Sequence, residues 1–308
     1  MRKLLSPFQR YYLARKERGY AHIAFAFEIS GGEWFPPETE KTLLKEERFL
    51  ETTDFTPDRV INLDLTNLNS DDELHKLRRS FANRRLHTEK GMKVGFEVCK
   101  LSEQRSSIEV DFDLAAVKPD FLRICLQKET TEKEFKAPEP KDILYWNSFK
   151  EVAKEKYDLK GEFASVSYSL GKIGGEDLYE CLLTAYLMNF GAVMCGIEEP
   201  LIMPKLSGDF KECVKTVKNA YIEGMQHNSF SNWKVAELIG GKFPMFCNFL
   251  DCELSYLHIT IPDIPYIFAF FRSGDEIMTN ISYDISFNES EILAIYEKFR
   301  NTLGDNYE

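Results

Sequence analysis

Hydrophobic and polar residues alternate along several short stretches of the chain, which is the pattern of β-strands with one buried face. In YAHIAFAFEIS, residues 20–30, the large apolar residues Ile23, Phe25 and Phe27 fall on one face. The segments 94–98 and 108–114 alternate in the same way, with Glu109, Asp111 and Asp113 between the apolar residues of the second. The pattern predicts that these two segments form a hairpin with its turn at 103–106.

Other segments repeat their apolar residues every three or four positions, which is typical of amphipathic helices. In the second half, this period predicts helices over 143–157, 178–190, 210–225 and, after the capping pair Asn288 and Glu291, to Phe299. Further strands are predicted at 162–170, 243–249, 257–261, 266–271 and 277–286. In the first half, helices are predicted over 10–18, over the charged stretch 38–50 and after Ser70.

The segment 128–142, KETTEKEFKAPEPKD, is charged, carries two prolines and has no apolar period, as expected of a linker. It divides the 308 residues into an N-terminal lobe, 1–127, and a C-terminal lobe, 143–308. Each lobe is long enough to bury its own core.

The formal net charge is -11 and the pI is near 5.2, which argues against a nucleic-acid-binding surface. The sequence contains no membrane-length apolar run and no signal-peptide core, so a cytoplasmic protein is expected. The seven cysteines are scattered without a CxxC pair or a zinc-like Cys/His spacing. They are expected to be buried thiols, and neither a metal nor a cofactor is expected.

Laid end to end, the chain resembles the condensation domain of nonribosomal peptide synthetases, in the chloramphenicol-acetyltransferase-like superfamily. The resemblance lies in the order of elements and in phrases such as LSPFQRYYL, FPMFCNF and ISYDISFNESEILAIYEKF. It implies an α/β fold of two similar lobes that form a V-shaped cleft. It also implies acyl-transfer chemistry and partners that are acyl or peptidyl carrier proteins or synthetase modules.

The family's active-site motif is His-His-x-x-x-Asp-Gly, at the end of the second hairpin strand. Ungapped comparison places Asp113, Leu114, Lys118 and Pro119 at its four defining positions, so none of the defining residues is present. In the family the second histidine is taken to assist the attacking nucleophile. Leu114 cannot accept a proton, so the resemblance implies a degenerate motif.

His22 and His258 lie on predicted strands and are the candidates for a relocated base. His75, His87 and His227 are expected to be structural or on the surface. The acidic residues at 109, 111 and 113 share one strand face by their two-residue spacing. A solvated strand face is the expected explanation, and a paired-carboxylate acid/base site is the alternative that would require burial.

The leading hypothesis is a pseudoenzyme of a natural-product pathway that binds a carrier protein or synthetase partner without the usual acyl transfer. One alternative is an acyltransferase or amide-forming enzyme that works by positioning with a non-standard site. Another is a structural subunit that shares only the fold. Arg15, Lys16 and Arg18 form the candidate partner surface, although an ordinary solvated helix face explains them as well.

Overall fold

A computed structural model describes residues 2–4, 21–31, 34–37, 40–46, 49–54, 59–67, 73–74, 76–78, 94–114, 117, 119–128, 139–149, 157–227, 235–236 and 239–305. The contacts of the chain divide it into two compact units. The first comprises Met1–Leu5, Tyr12–Lys133 and Asp251–Ile261, and the second comprises Ser6–Tyr11, Glu134–Leu250 and Pro262–Glu308. The boundary between the two units after Lys133 lies inside the segment 128–142. The later segment 251–261 belongs to the first unit.

The strands and helices of the first half are β1 (Arg2–Leu4), β2 (His22–Ser30), β3 (Glu40–Glu46), β4 (Phe49–Asp54), β5 (Arg59–Asp64), β6 (Val94–Ser102), β7 (Arg105–Asp113) and α1 (Phe121–Cys125). Those of the second half are α2 (Pro140–Asn147), β8 (Phe163–Gly171), α3 (Leu178–Phe190), β9 (Val193–Met194), β10 (Leu201–Ile202), α4 (Phe210–Gln226), β11 (Met245–Glu253), β12 (Tyr256–Thr260), β13 (Tyr266–Ser273), β14 (Glu276–Asp284) and α5 (Glu289–Gly304).

The main sheet of the first unit has the strand order β12-β2-β7-β6-β5. Its strands pair antiparallel except for β5 and β6, which are parallel. One face is apolar, because Leu257, Phe25, Val110 and Phe96 align across four strands, and Ile259, Ile23, Phe112 and Val94 form the next row. Phe121 of α1 packs on this face, with its ring centroid 5.3 Å from that of Phe112. The apolar face is therefore the core of the unit.

The second unit is built on a sheet of order β10-β9-β11-β13-β14-β8. The helices α3, α4 and α5 share one core with this sheet, in which Phe246, Phe268, Phe270 and Phe299 are almost wholly buried. The hydroxyl oxygens of Tyr186 and Tyr266 lie 2.6 Å apart in a hydrogen bond inside this core. Aromatic side chains thus supply much of the packing in the core of the second unit.

Most predicted elements are confirmed. The hairpin β6–β7, the helices α3 and α4 and the capping pair at the start of α5 are present, and the seven cysteines are free and buried. The predicted helix over 38–50 is wrong, because this stretch forms the antiparallel pair β3–β4 in which Thr42 is aligned with Thr52. Threonine is β-branched and favours strands, which outweighed the charged, helix-like composition.

The helix predicted from residue 143 begins earlier, at Pro140. The backbone N–H of Glu139 donates to Asp142, 2.9 Å away, and proline is well suited to the first turn of a helix. The helix therefore begins inside the segment 128–142, which the sequence predicts to be a linker. The predicted helix over 10–18, with Arg15, Lys16 and Arg18, lies outside the described residues, as do Lys118, His75 and His87.

Candidate functional site

The position at which the resemblance would place the family's second histidine is residue 114, in a turn that leads from β7 toward α1. Leu114 follows the last residue of β7, and its backbone N–H donates to the carbonyl of Ala21, 2.9 Å away. The side chain of Leu114 is 0% exposed. Pro119 lies just before α1, where its carbonyl accepts a hydrogen bond from the backbone N–H of Leu122. The residue at position 114 is thus an apolar side chain that is shielded from solvent.

The second face of the main sheet in the first unit is polar, and its side chains meet in rows across the strands. His22 on β2 is aligned with Asp113 on β7 and with Thr260 on β12. In the adjacent row, Ala24 is aligned with Asp111 on one side and with His258 on the other. The sheet therefore brings together two histidines and two aspartates from three strands, a set that we call the His–Asp cluster (His22, Asp111, Asp113 and His258).

The two imidazoles of the His–Asp cluster differ in exposure. His258 is 3% exposed, whereas His22 is partly exposed. Their ring centroids are 5.8 Å apart, and Nε2 of His258 is hydrogen-bonded to Oγ1 of Thr260 at 2.8 Å. Burial, together with the nearby imidazole of His22, lowers the pKa of His258 to about 3. His258 is therefore neutral near pH 7.

The two carboxylates of the His–Asp cluster are buried, with exposed fractions of 2% for Asp111 and 3% for Asp113. Burial raises the pKa of Asp111 well above its ordinary value, and the charge of Asp113 raises it further. The Oδ1 atom of Asp111 has no hydrogen-bond partner among the described residues. The expectation of a solvated acidic strand face is wrong, because this face is covered.

Glu109, on the same face of β7, has a partner. Arg78 places Nε 3.2 Å from Oε1 of Glu109 and Nη2 2.9 Å from the hydroxyl of Ser107, which in turn donates to Glu109. Burial raises the pKa of Glu109, and the guanidinium of Arg78 opposes that rise. Glu28, which also contacts Arg78, receives two hydrogen bonds from the more exposed Arg105. A charge network thus occupies this end of the polar face.

His227 lies in the second unit and belongs to a different arrangement. Its Nδ1 is 2.9 Å from a carboxylate oxygen of Asp142, and its ring stacks on Tyr145 at a centroid distance of 4.2 Å. Nε1 of Trp146 donates to its carbonyl. These contacts hold the C-terminal end of α4 against α2.

The sequence indicates His22 and His258 as separate candidates, and the pairing of β2 with β12 makes them neighbours. The sequence analysis does not predict that Arg78 and Thr260 belong to this face. Thr260 could have been found from its two-residue spacing from His258. Arg78 lies about 30 residues before its partners in the chain, and no local pattern marks such a contact.

The described part of the chain contains no group of three or more His, Cys, Asp or Glu side chains that could hold a metal ion. It also contains no helix that is long and apolar enough to cross a membrane.

No family model matches the sequence, and no curated protein does so. Solved structures do match over the whole chain. The cyclization-docking bidomain of the nonribosomal peptide synthetase EpoB from Sorangium cellulosum is 12% identical, with a TM-score of 0.65 over 100% of this chain and 85% of that one. A variant of the starter condensation domain of rhizomide synthetase RzmA, in complex with C8-CoA and Leu-SNAC, is 10% identical, with a TM-score of 0.68 over 99% and 95%.

The tallysomycin biosynthesis protein TlmII is 10% identical, with a TM-score of 0.65 over 100% of this chain and 99% of that one. The fold is therefore the α/β fold of condensation and cyclization domains of nonribosomal peptide synthetases. At this level of identity the likeness defines the fold alone.

Proposed function

We propose that the protein binds an acyl or peptidyl carrier domain, or a synthetase partner, of a nonribosomal-peptide-type pathway. In this proposal it does so without the acyl-transfer chemistry usual for condensation domains. The observation that carries the proposal is the wholly buried Leu114 at the position that the resemblance assigns to the proton-accepting histidine.

General base catalysis typically contributes about 10²- to 10⁴-fold to a rate, so a leucine at this position removes a large part of the family's catalysis. The fold is nevertheless similar to condensation domains over essentially the whole chain. If the protein has this fold but lacks the family's catalytic histidine, the simplest explanation is that one of its surfaces still binds the family's partners.

A protein with a net charge of -11 needs a local basic surface to attract an acidic carrier domain. Arg15, Lys16 and Arg18 are the most concentrated basic residues near the N-terminus and are proposed as that surface.

The test is a titration of fluorescently labelled carrier domains from the same genome, each in its phosphopantetheinylated form, monitored by anisotropy. We expect saturable binding to at least one carrier and none to an unrelated protein of equal size and acidity. Failure of every carrier to bind would contradict the proposal and favour a structural subunit.

A second function, amide or ester formation with a displaced base, is favoured by one observation. His22 is partly exposed and lies opposite the buried Asp113, one strand away from Leu114. A carboxylate next to an imidazole supports proton transfer by that imidazole.

This function requires that the wild-type protein transfer an acyl group from a carrier thioester to an amine. It further requires that His22→Gln lower the rate by about 10²-fold or more, while His227→Gln, in the second unit, leaves it unchanged. Wild-type protein without transfer would rule this function out.

A further inference from the structure

The strand β8 lies at one edge of the sheet of the second unit. It pairs with β14 on one side, and no strand in the described part of the chain pairs with its other side. None of the residues of β8 is buried, whereas most of those of β14 are. This edge of the sheet is therefore accessible to solvent.

The direction of the backbone groups of β8 follows from the hydrogen bonds at the start of its pairing with β14. The N–H of Ile285 donates to the carbonyl of Glu162, 2.9 Å away. The next residues of the ladder are Phe163 and Asp284, and the N–H of Asp284 donates instead to Pro265, on the side away from β8. In an antiparallel pair, alternate residues turn both of their backbone groups toward the neighbouring strand. The even-numbered residues of β8 up to 168 therefore face β14, and the odd-numbered ones face outward.

The outward backbone groups are mostly unpaired. Among the described residues, those of Phe163, Ser165 and Ser167 have no hydrogen-bond partner, and only the carbonyl of Ser169 accepts a hydrogen bond, from the hydroxyl of Tyr296 at 3.2 Å. A row of unpaired N–H and C=O groups on an accessible edge is a template for another strand.

The sequence of β8 lacks the features that usually protect such an edge. FASVSYSLG contains no charged residue and no proline, whereas natural edge strands commonly carry lysine, proline or a bulge. The register shift at Leu170 comes only near the end of the strand, so 163–169 pairs with β14 without a break. The composition of β8 thus permits pairing with a further strand.

This strand is complementary to a second copy of itself. When two copies run antiparallel with Val166 at the centre, Ser165 of one lies opposite Ser167 of the other, and Ala164 lies opposite Tyr168. No like charges meet, and the largest side chain faces a small one. Ser165 and Ser167 both turn their backbone groups outward, so they can exchange both hydrogen bonds, while Val166 meets its own copy in a closely spaced pair.

The same pairing would cover apolar surface beside the edge. Val166 and Tyr168 are partly exposed on the face of the sheet that carries the helices, and the ring of Tyr168 stacks on that of Tyr296 of α5 at 4.1 Å. Leu293, about one turn before Tyr296, is 38% exposed. Removing such apolar surface from water favours association.

We propose that the protein forms a symmetric dimer in which two β8 strands pair antiparallel and join the sheets of the two second units into one continuous sheet. An interface of this symmetry requires a surface that is complementary to itself, and the stretch 163–169 meets this requirement. The dimer does not require carrier binding, so either proposal can fail without the other.

Sedimentation velocity over an about hundred-fold range of protein concentration tests the dimer. We expect the average mass of the wild type to rise with concentration toward twice that of one chain. Ser165→Pro removes an outward N–H, which an edge strand tolerates, and should weaken dimer formation by about ten-fold or more. Ser165→Thr is the matched control, because it keeps the N–H and favours a strand, and it should leave the dimer unchanged.

Disulfide cross-linking tests the register. Position 166 lies opposite itself in the proposed dimer, so Val166→Cys should link two chains by a disulfide under mild oxidation. Ala164→Cys is the control, since it lies opposite Tyr168 and should not form the link. The seven native cysteines are buried, which limits other cross-links.

Thermal unfolding verifies that each variant is folded, and if Ser165→Pro is not, the two cysteine variants decide the question. A wild type that stays monomeric would overturn the proposal and leave the edge to a strand of a different chain. A dimer that is unaffected by Ser165→Pro, or equal cross-linking through positions 164 and 166, would overturn it as well.

Discussion

His22 lies directly opposite Asp113 in the antiparallel pairing of β2 with β7. Asp113 is the last residue of β7, and the buried Leu114 follows it. The polar chemistry of this region is therefore located on the sheet face beside the motif position, and position 114 itself is apolar. This arrangement leads to predictions about stability, pH dependence and binding.

The buried charge network around Arg78 should be essential for folding. Arg78→Met removes the cationic partner of the buried Glu109 and leaves it only the hydroxyl of Ser107, and breaking a buried ion pair in this way costs about 3–5 kcal/mol. Arg105→Met is the control, since Arg105 is half-exposed in its pair with Glu28 and should cost no more than about 1 kcal/mol. Urea unfolding measures both. Equal costs would contradict a stabilising role for the buried network.

His258 should make the protein less stable in acid. Its pKa is about 3 in the folded protein, below the ordinary value of 6.5, so the unfolded chain binds a proton more readily. The contribution of neutral His258 is fully present above about pH 6.5 and is lost as the pH falls toward 3. His258→Gln should therefore flatten the decline in unfolding free energy between about pH 6.5 and 4, as measured by urea unfolding. An unchanged decline would show that His258 is not the group responsible.

Asp111 should have the opposite effect. Its pKa is raised in the folded protein, so the folded state binds this proton more tightly and loses stability as the pH rises through the folded-state pKa. Asp111→Asn cannot ionise, and its stability relative to wild type should increase as the pH rises above about 4, the ordinary pKa of an aspartate. A difference that does not change with pH would contradict a raised pKa.

Restoring the family motif should not restore its chemistry. A histidine at position 114 would occupy a wholly buried, apolar position, so Leu114→His should destabilise the protein by about 2–4 kcal/mol. The combined variant Asp113→His, Leu114→His, Lys118→Asp and Pro119→Gly should show no more acyl transfer than wild type in a thioester assay. Appreciable transfer by this variant would show that only the motif had been lost.

The sequence predicted much of the fold because alternation, helical period and capping are local signals. The strands β2, β6 and β7, the helices α3 and α4 and the capping pair of α5 all follow from such signals. Local signals also explain why the acidic face of β7 is wrongly expected to be solvated. Its two-residue period shows that Glu109, Asp111 and Asp113 share a face, but the strand does not encode whether that face is covered.

The candidate site depended on pairings between distant parts of the chain. His22 and His258 are neighbours only because β12 pairs with β2 in the sheet of the first unit. In the sequence, β12 comes after most of the second unit, far from β2. Single-sequence patterns contain no information about such a pairing.

A titration of the carrier domains against wild type and against the triple variant Arg15→Glu, Lys16→Glu and Arg18→Glu measures whether the protein binds a carrier without a histidine at position 114. Both proteins should be measured at low and at physiological salt. We predict that wild type binds at least one carrier, more tightly at low salt, and that the triple variant loses most of this affinity and salt dependence. Absence of binding to every carrier would contradict the proposed function, and binding that is unaffected by the charge reversals would show that Arg15, Lys16 and Arg18 are not the binding surface.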